Sequence, residues 1–119
     1  MYGLSKNVDL SFLRGAELQQ VCIGRNELIL NFDRDVRITI LSSLGVSCPR
    51  GVYSTNHSDV VVGGIKIVGL LNDVILDAEA TDEGDLMMTF ESGWAITAID
   101  DSDEYESFWI AHGAEQIIV

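Results

Sequence analysis

The side chains best equipped for chemistry are carboxylates. Asp100-Asp101-Ser102-Asp103-Glu104-Tyr105-Glu106 carries five of them in seven positions. Hard oxygen ligands at this density could coordinate Ca²⁺ or receive the Lys and Arg side chains of a basic partner. An EF-hand loop needs alternating ligands, a Gly at its sixth position and a bidentate Glu at its twelfth, and no starting Asp here meets that pattern. The plain alternative is a solvated loop whose like charges repel mildly. His57 and His112 lie far apart, and neither has a Cys or His at metal-ligand spacing. Cys48 and His57 could form a nucleophile and base, but no nucleophile elbow or flanking signature accompanies them. Gly63-Gly64 precedes an apolar run without the further glycines and Lys-Ser/Thr pair of a phosphate loop. The chain therefore reads as non-enzymatic, with no cofactor and no metal expected.

Two further groups could recognise a partner. Asp77 and Glu79 share the outer face of one predicted strand, with Glu91 near them across a turn. Like charges placed side by side cost stability. They either splay into screening water or face a basic ligand. In the last predicted strand, strict alternation places Phe108 and Ile110 inward and Tyr105, Ser107 and Trp109 on the other face. An exposed Trp and Tyr bordered by Glu104 and Glu106 would form an anchor with an acidic rim. Packing of the helix or the tail over Trp109 is the alternative.

The charge is unevenly placed. Residues 60–119 hold thirteen of the nineteen acidic residues and only Lys66 among the basic ones, so the whole net charge of −12 lies in the second half. Such a field disfavours nucleic acid and attracts basic proteins. Apolar content of 47% argues for a folded core, and 119 residues suit one domain. No apolar run approaches the ~20 residues of a membrane span. Met1 to Leu10 lacks the charged-then-apolar pattern of a signal peptide. Two cysteines, Cys22 and Cys48, are too few for a disulfide scaffold, so a cytoplasmic protein with reduced thiols is expected. Cys22, in an apolar strand pattern, reads as a buried small hydrophobe.

The elements that must position these residues are mostly strands. Residues 17–23, 27–32 and 36–41 alternate apolar and polar between the turns Gly24-Arg25-Asn26 and Asp33-Arg34-Asp35. They predict an antiparallel three-stranded meander. Residues 42–59 read as an irregular crossing. Ser58 or Asp59 could cap a short helix whose buried face comes from Val60 to Leu71, although β-branched residues and two glycines oppose it. A second meander follows: residues 74–81 with Val74, Leu76, Ala78 and Ala80 on one face, 85–91 with Leu86, Met88 and Phe90 inward, and 94–99 with Trp94, Ile96 and Ala98 inward. A last strand near 105–111 and a tail ending Ile117-Ile118-Val119, packed back on the domain, complete the chain.

A constant offset of 58 pairs Leu28 with Leu86, Phe32 with Phe90, Val36 with Trp94, Ile38 with Ile96 and Thr39 with Thr97. Two related meanders are expected, packed as a curved sheet, sandwich or open barrel within one mainly β (α+β) domain and covered by one short helix.

The stretch Gly84 to Ile96, a strand ending in Phe and a Gly turn before the next strand, is followed by Asp100-Asp101-Ser102 and Tyr105-Glu106-Ser107. This pattern resembles small acidic bacterial proteins grouped as domains of unknown function. Some similar proteins are immunity proteins of contact-dependent or polymorphic toxin systems. The resemblance covers the last third of the chain best, and its motif is structural, so it transfers no catalytic residue. It implies a cytoplasmic inhibitor of a basic toxin domain, such as a nuclease; the charge and alternation read above would engage such a partner through Asp77, Glu79, Glu91, Asp100, Asp101, Asp103, Glu104 and Glu106, with Tyr105 and Trp109 as anchors. The other readings are a self-associating structural or regulatory β-domain that uses exposed strand edges, and a small-ligand pocket lined by Met88, Phe90 and Trp94.

Overall fold

The structure, a computed structural model, describes residues 3–49, 54–57, 59–102 and 106–119. Ten strands are found among these residues: β1 (Leu18–Ile23), β2 (Leu28–Phe32), β3 (Val36–Ile40), β4 (Leu44–Ser47), β5 (Ser54–His57), β6 (Ile75–Ala80), β7 (Leu86–Phe90), β8 (Ala95–Ala98), β9 (Phe108–His112) and β10 (Glu115–Ile118). They form two antiparallel sheets, β1-β2-β3-β9-β10 and β5-β4-β8-β7-β6. The chain is mainly β, and neither sheet closes into a barrel. Alternation explains the packing: Leu28, Leu30 and Phe32 of β2 and Leu86, Met88 and Phe90 of β7 all point into one shared core.

The chain changes sheet twice, after β3 and after β8. At this double crossing the Leu41 N–H donates to the Ser107 carbonyl at 2.9 Å, and the Ile99 N–H donates to the Ser43 carbonyl at 3.0 Å. At another junction Glu17 bridges Val74, flanked by Leu18 N–H to Asp73 carbonyl and Ile75 N–H to Ala16 carbonyl, both at 2.9 Å. Where one sheet would leave edges with unpaired backbone groups, these crossings stitch the two together.

Helix α1 (Val60–Ile67) begins at Asp59, whose carboxylate accepts from the Val61 N–H at 2.9 Å. It runs on into a tight 3₁₀ turn over Val68–Leu70. Gly64 explains how so β-branched a segment can pack. A Cβ there would lie 2.9 Å from both Ile23 Cγ1 and Leu28 Cδ1, so only glycine lets the helix come this close to the first sheet.

Four expectations are revised. The 42–59 crossing contains β4 and β5. Only four residues long, β4 shows its alternation through Leu44 and Val46 alone, and the polar β5 owes its extended form to pairing with β4. In β6 a bulge between Ile75 and Asp77 shifts the phase, burying Ile75 and leaving Leu76 59% exposed. Ser107 is fully buried rather than outward, because the chain is still inside the crossing there. Cys22 points outward from edge strand β1 and is half-buried.

Candidate functional site: an acidic edge

Strand β6 forms one edge of the second sheet, and the bulge orients its carboxylates. Past the bulge Asp77 and Glu79 alternate outward while Ala78 and Ala80 turn in. The N-terminal segment runs alongside this edge. Arg14 Nε donates to Asp77 Oδ1 at 3.0 Å, and Lys6 forms an ion pair with Asp82. The hydrogen bond to Asp82, reinforced by the charge of that group, raises the Lys6 pKa, with smaller help from Glu79 and Glu83. The same hydrogen bond lowers the Asp82 pKa. Two cations from the first half of the chain thus neutralise part of the acidic second half. They relieve the side-by-side repulsion of Asp77 and Glu79 from within the molecule. Between segment and strand lies an open groove of about 430 Å³, with Leu10, Ala78 and Ala80 among its apolar lining.

Farther along, the β6–β7 turn meets the double crossing. The Asp100 N–H donates to Asp85 Oδ1 at 2.9 Å. Asp100 Oδ1 accepts from the buried Ser107 hydroxyl at 2.8 Å, and the Ser43 hydroxyl donates to the carboxylate of Asp101. These bonds hold Asp85, Asp100 and Asp101 together near Glu83. Partial burial raises the Asp85 pKa, and the charges of Glu83, Asp100 and Asp101 push it the same way against the favourable Asp100 N–H bond. Among the described residues no Lys or Arg forms an ion pair with any of these four carboxylates. Nor does any set of three or more His, Cys, Asp or Glu among them have a metal-binding arrangement.

The structure therefore gathers Asp77, Glu79, Asp100 and Asp101 on the β6–β7 side. Glu91 lies past the other end of β7, about 20 Å from Asp85 at the strand rise of ~3.3 Å per residue. Glu106 is half-buried beside Ser107. Trp109 is 37% exposed on the outer face of the other sheet, so it shares no face with the β6 carboxylates. Asp103, Glu104 and Tyr105 lie outside the described residues. Asp82 and Glu83, in the turn between the predicted strands 74–81 and 85–91, and Asp85, at the start of the second, were not singled out as site residues, although hairpin pairing of 75–80 with 86–90 was signal enough to place them beside Glu79. Lys6 and Arg14 carried no such local signal.

Residues 10–119 match a family of unknown function, DUF6188. The chain belongs to that family. Searches of curated proteins and of solved structures find no match. Family membership brings no activity to the acidic edge, so its role must be argued from its charges. Among the described residues no helix is long and apolar enough to cross a membrane.

Proposed function

We propose that this DUF6188 chain is a non-enzymatic, acidic protein-binding domain of immunity type, working in the cytoplasm as the inhibitor of a basic toxin domain such as a nuclease. The observation that carries this reading is the group Asp85, Asp100 and Asp101, held together by backbone and serine hydrogen bonds beside Glu83, with no Lys or Arg among the described residues in an ion pair with any of the four. Elsewhere on the edge the chain supplies its own cations. Here partial burial, with the like charges of Glu83, Asp100 and Asp101 added to it, raises the Asp85 pKa, and a partner's Lys or Arg would offset the repulsive part. A nuclease needs positive surface to hold phosphates, and an acidic inhibitor is steered onto that surface. Asp77, Glu79, Glu91, Asp103, Glu104 and Glu106 extend the negative field, with Tyr105 as the aromatic anchor of the reading; Trp109, on the outer face of the other sheet, stands apart from it.

The two meanders further read as copies of one unit. Each carries a bulge early in its first strand, after Leu18 in β1 and after Ile75 in β6. The paired hydrogen bonds at the Glu17–Val74 junction relate the two by an offset of 57. On this reading each copy lends its following hairpin to the other's sheet.

The test is capture from source-cell lysate on the wild-type chain and on the Glu83→Lys/Asp101→Lys double variant. A basic protein retained by the wild type at low salt, released as salt rises and lost by a folded double variant supports the reading. Equal capture by both baits, or none by the wild type, removes the acidic edge as the binding surface.

A further inference from the structure

The two sheets present the same backbone on their outer faces but opposite chemistry. Across the second sheet the register runs Glu79, Met87, Thr97, Gly45 on successive strands β6, β7, β8 and β4. Across the first, the corresponding row runs Cys22, Ile29, Thr39, Trp109 on β1, β2, β3 and β9, and continues to Ile118 on β10. Where one sheet takes a glutamate and a glycine, the other takes a cysteine and a tryptophan. The architecture therefore does not demand apolar side chains at these positions. Trp109 and Ile118, directly paired, are nonetheless 37% and 47% exposed. The neighbouring row is a polar ladder in which Asn31 Nδ2 donates to Gln20 Oε1 and Arg37 Nε donates to Asn31 Oδ1, each at 3.0 Å, followed by Ala111 and Gln116.

Charge selects the occupant. These two rows hold one cation, Arg37, and no carboxylate, on a chain with nineteen acidic residues and a net charge of −12. A strongly basic partner gains nothing on this face and would go to the acidic edge instead. A second copy of the same chain is repelled by carboxylates elsewhere, but here it meets an uncharged apolar stripe that is complementary to itself. We infer that the outer face of the β1-β2-β3-β9-β10 sheet is a self-association surface on which two copies pack face to face, anchored by Trp109 one strand in from the β10 edge.

The area sets the strength. Five strands at ~4.8 Å spacing and two rows of side chains at ~7 Å each give about 330 Å² per copy. That is roughly 650 Å² in all, below the ~1,200 Å² at which stable interfaces begin. The dimer is weak and concentration-dependent. Its salt response also differs in sign from that of the acidic edge. Screening weakens capture of a basic partner, but it relieves the mutual repulsion of two −12 chains and so strengthens the dimer.

Sedimentation velocity on the full chain decides the matter, from about 1 µM to about 300 µM at about 50 mM and about 500 mM salt. The expected result is a monomer-to-dimer shift whose midpoint falls at high salt. Trp109→Glu should weaken it at least tenfold, the behaviour of an aromatic anchor. Ile118→Lys provides a second variant at an exposed edge position, with circular dichroism showing that each stays folded. A monomer throughout at both salts overturns the inference. So does a dimer unaffected by both folded variants, or one that salt dissociates.

Discussion

Gly84 is where the hairpin of the acidic edge touches the N-terminal segment, and its replacement by alanine can be worked out from the structure. Its φ is +85°, and a Cβ there would lie 2.7 Å from Gly3 Cα and 3.1 Å from Leu4 N, both backbone atoms. The left-handed conformation alone costs an L-residue about 1–2 kcal/mol. The clash cannot be relieved by turning a side chain. The cheapest escape is to release the segment, breaking the 2.8 Å bond from the Leu4 N–H to the Gly84 carbonyl and exposing Leu4, now only 5% accessible. Those losses are about 0.5–1.5 kcal/mol and about 1.5–3 kcal/mol. With the clash itself avoided by release, these add to about 3–6 kcal/mol. At about 4 °C per kcal/mol for a chain of this size, Tm should fall by roughly 12–24 °C. Gly69→Ala is the contrast: nothing lies within 4 Å of its Cβ position, and it should stabilise by about 0.4–1 kcal/mol. Urea unfolding of both variants is the assay. A Gly84→Ala protein within about 0.5 kcal/mol of wild type, inside the range of neutral surface changes, would refute the reasoning.

Asp85→Asn keeps the acceptor for the Asp100 N–H but removes the charge. Because the folded pKa of Asp85 is raised, the charged form is the disfavoured one. Its protonated form favours the fold below the unfolded value, and that advantage is lost as pH rises through the folded pKa. The variant should therefore be more stable than wild type at neutral pH by a few tenths of a kcal/mol, the scale of solvent-screened charges, with the gap closing below about pH 4. Urea titrations at the two pH values check this, and a variant less stable at neutral pH contradicts it. Ser107→Ala should cost about 1–3 kcal/mol, since it deprives the Asp100 carboxylate and the Ser102 N–H of a fully buried hydroxyl. A loss below about 0.5 kcal/mol in the same assay would show that the crossing does not depend on that hydroxyl.

Much of the fold was legible because apolar alternation is strong where strands are long. The sequence ranges 27–32 and 85–91 contain β2 and β7, and Asp59 caps the helix as its position suggested. Short or polar strands were not legible. β4 has room for only two apolar positions, and β5 reads as loop because a partner strand rather than its own residues makes it extended. The bulge in β6 was hidden as well, since strict alternation put Leu76 inward where the structure exposes it. At the acidic edge the residue types were evident but their grouping was not. The approach of Asp85 to Asp100 depends on the double crossing, and Lys6 reaches Asp82 only because the N-terminal segment lies along β6. Neither relation leaves a local mark on the sequence.

The most direct measurement of the central claim is the association rate of this chain with the basic protein it captures, taken across a range of salt for the wild type and the Glu83→Lys/Asp101→Lys variant. The account predicts a wild-type rate that falls steeply with salt and a variant rate at least ~10-fold lower at low salt, as the loss of electrostatic steering requires. Equal rates for the two proteins, with no dependence on salt, would contradict it.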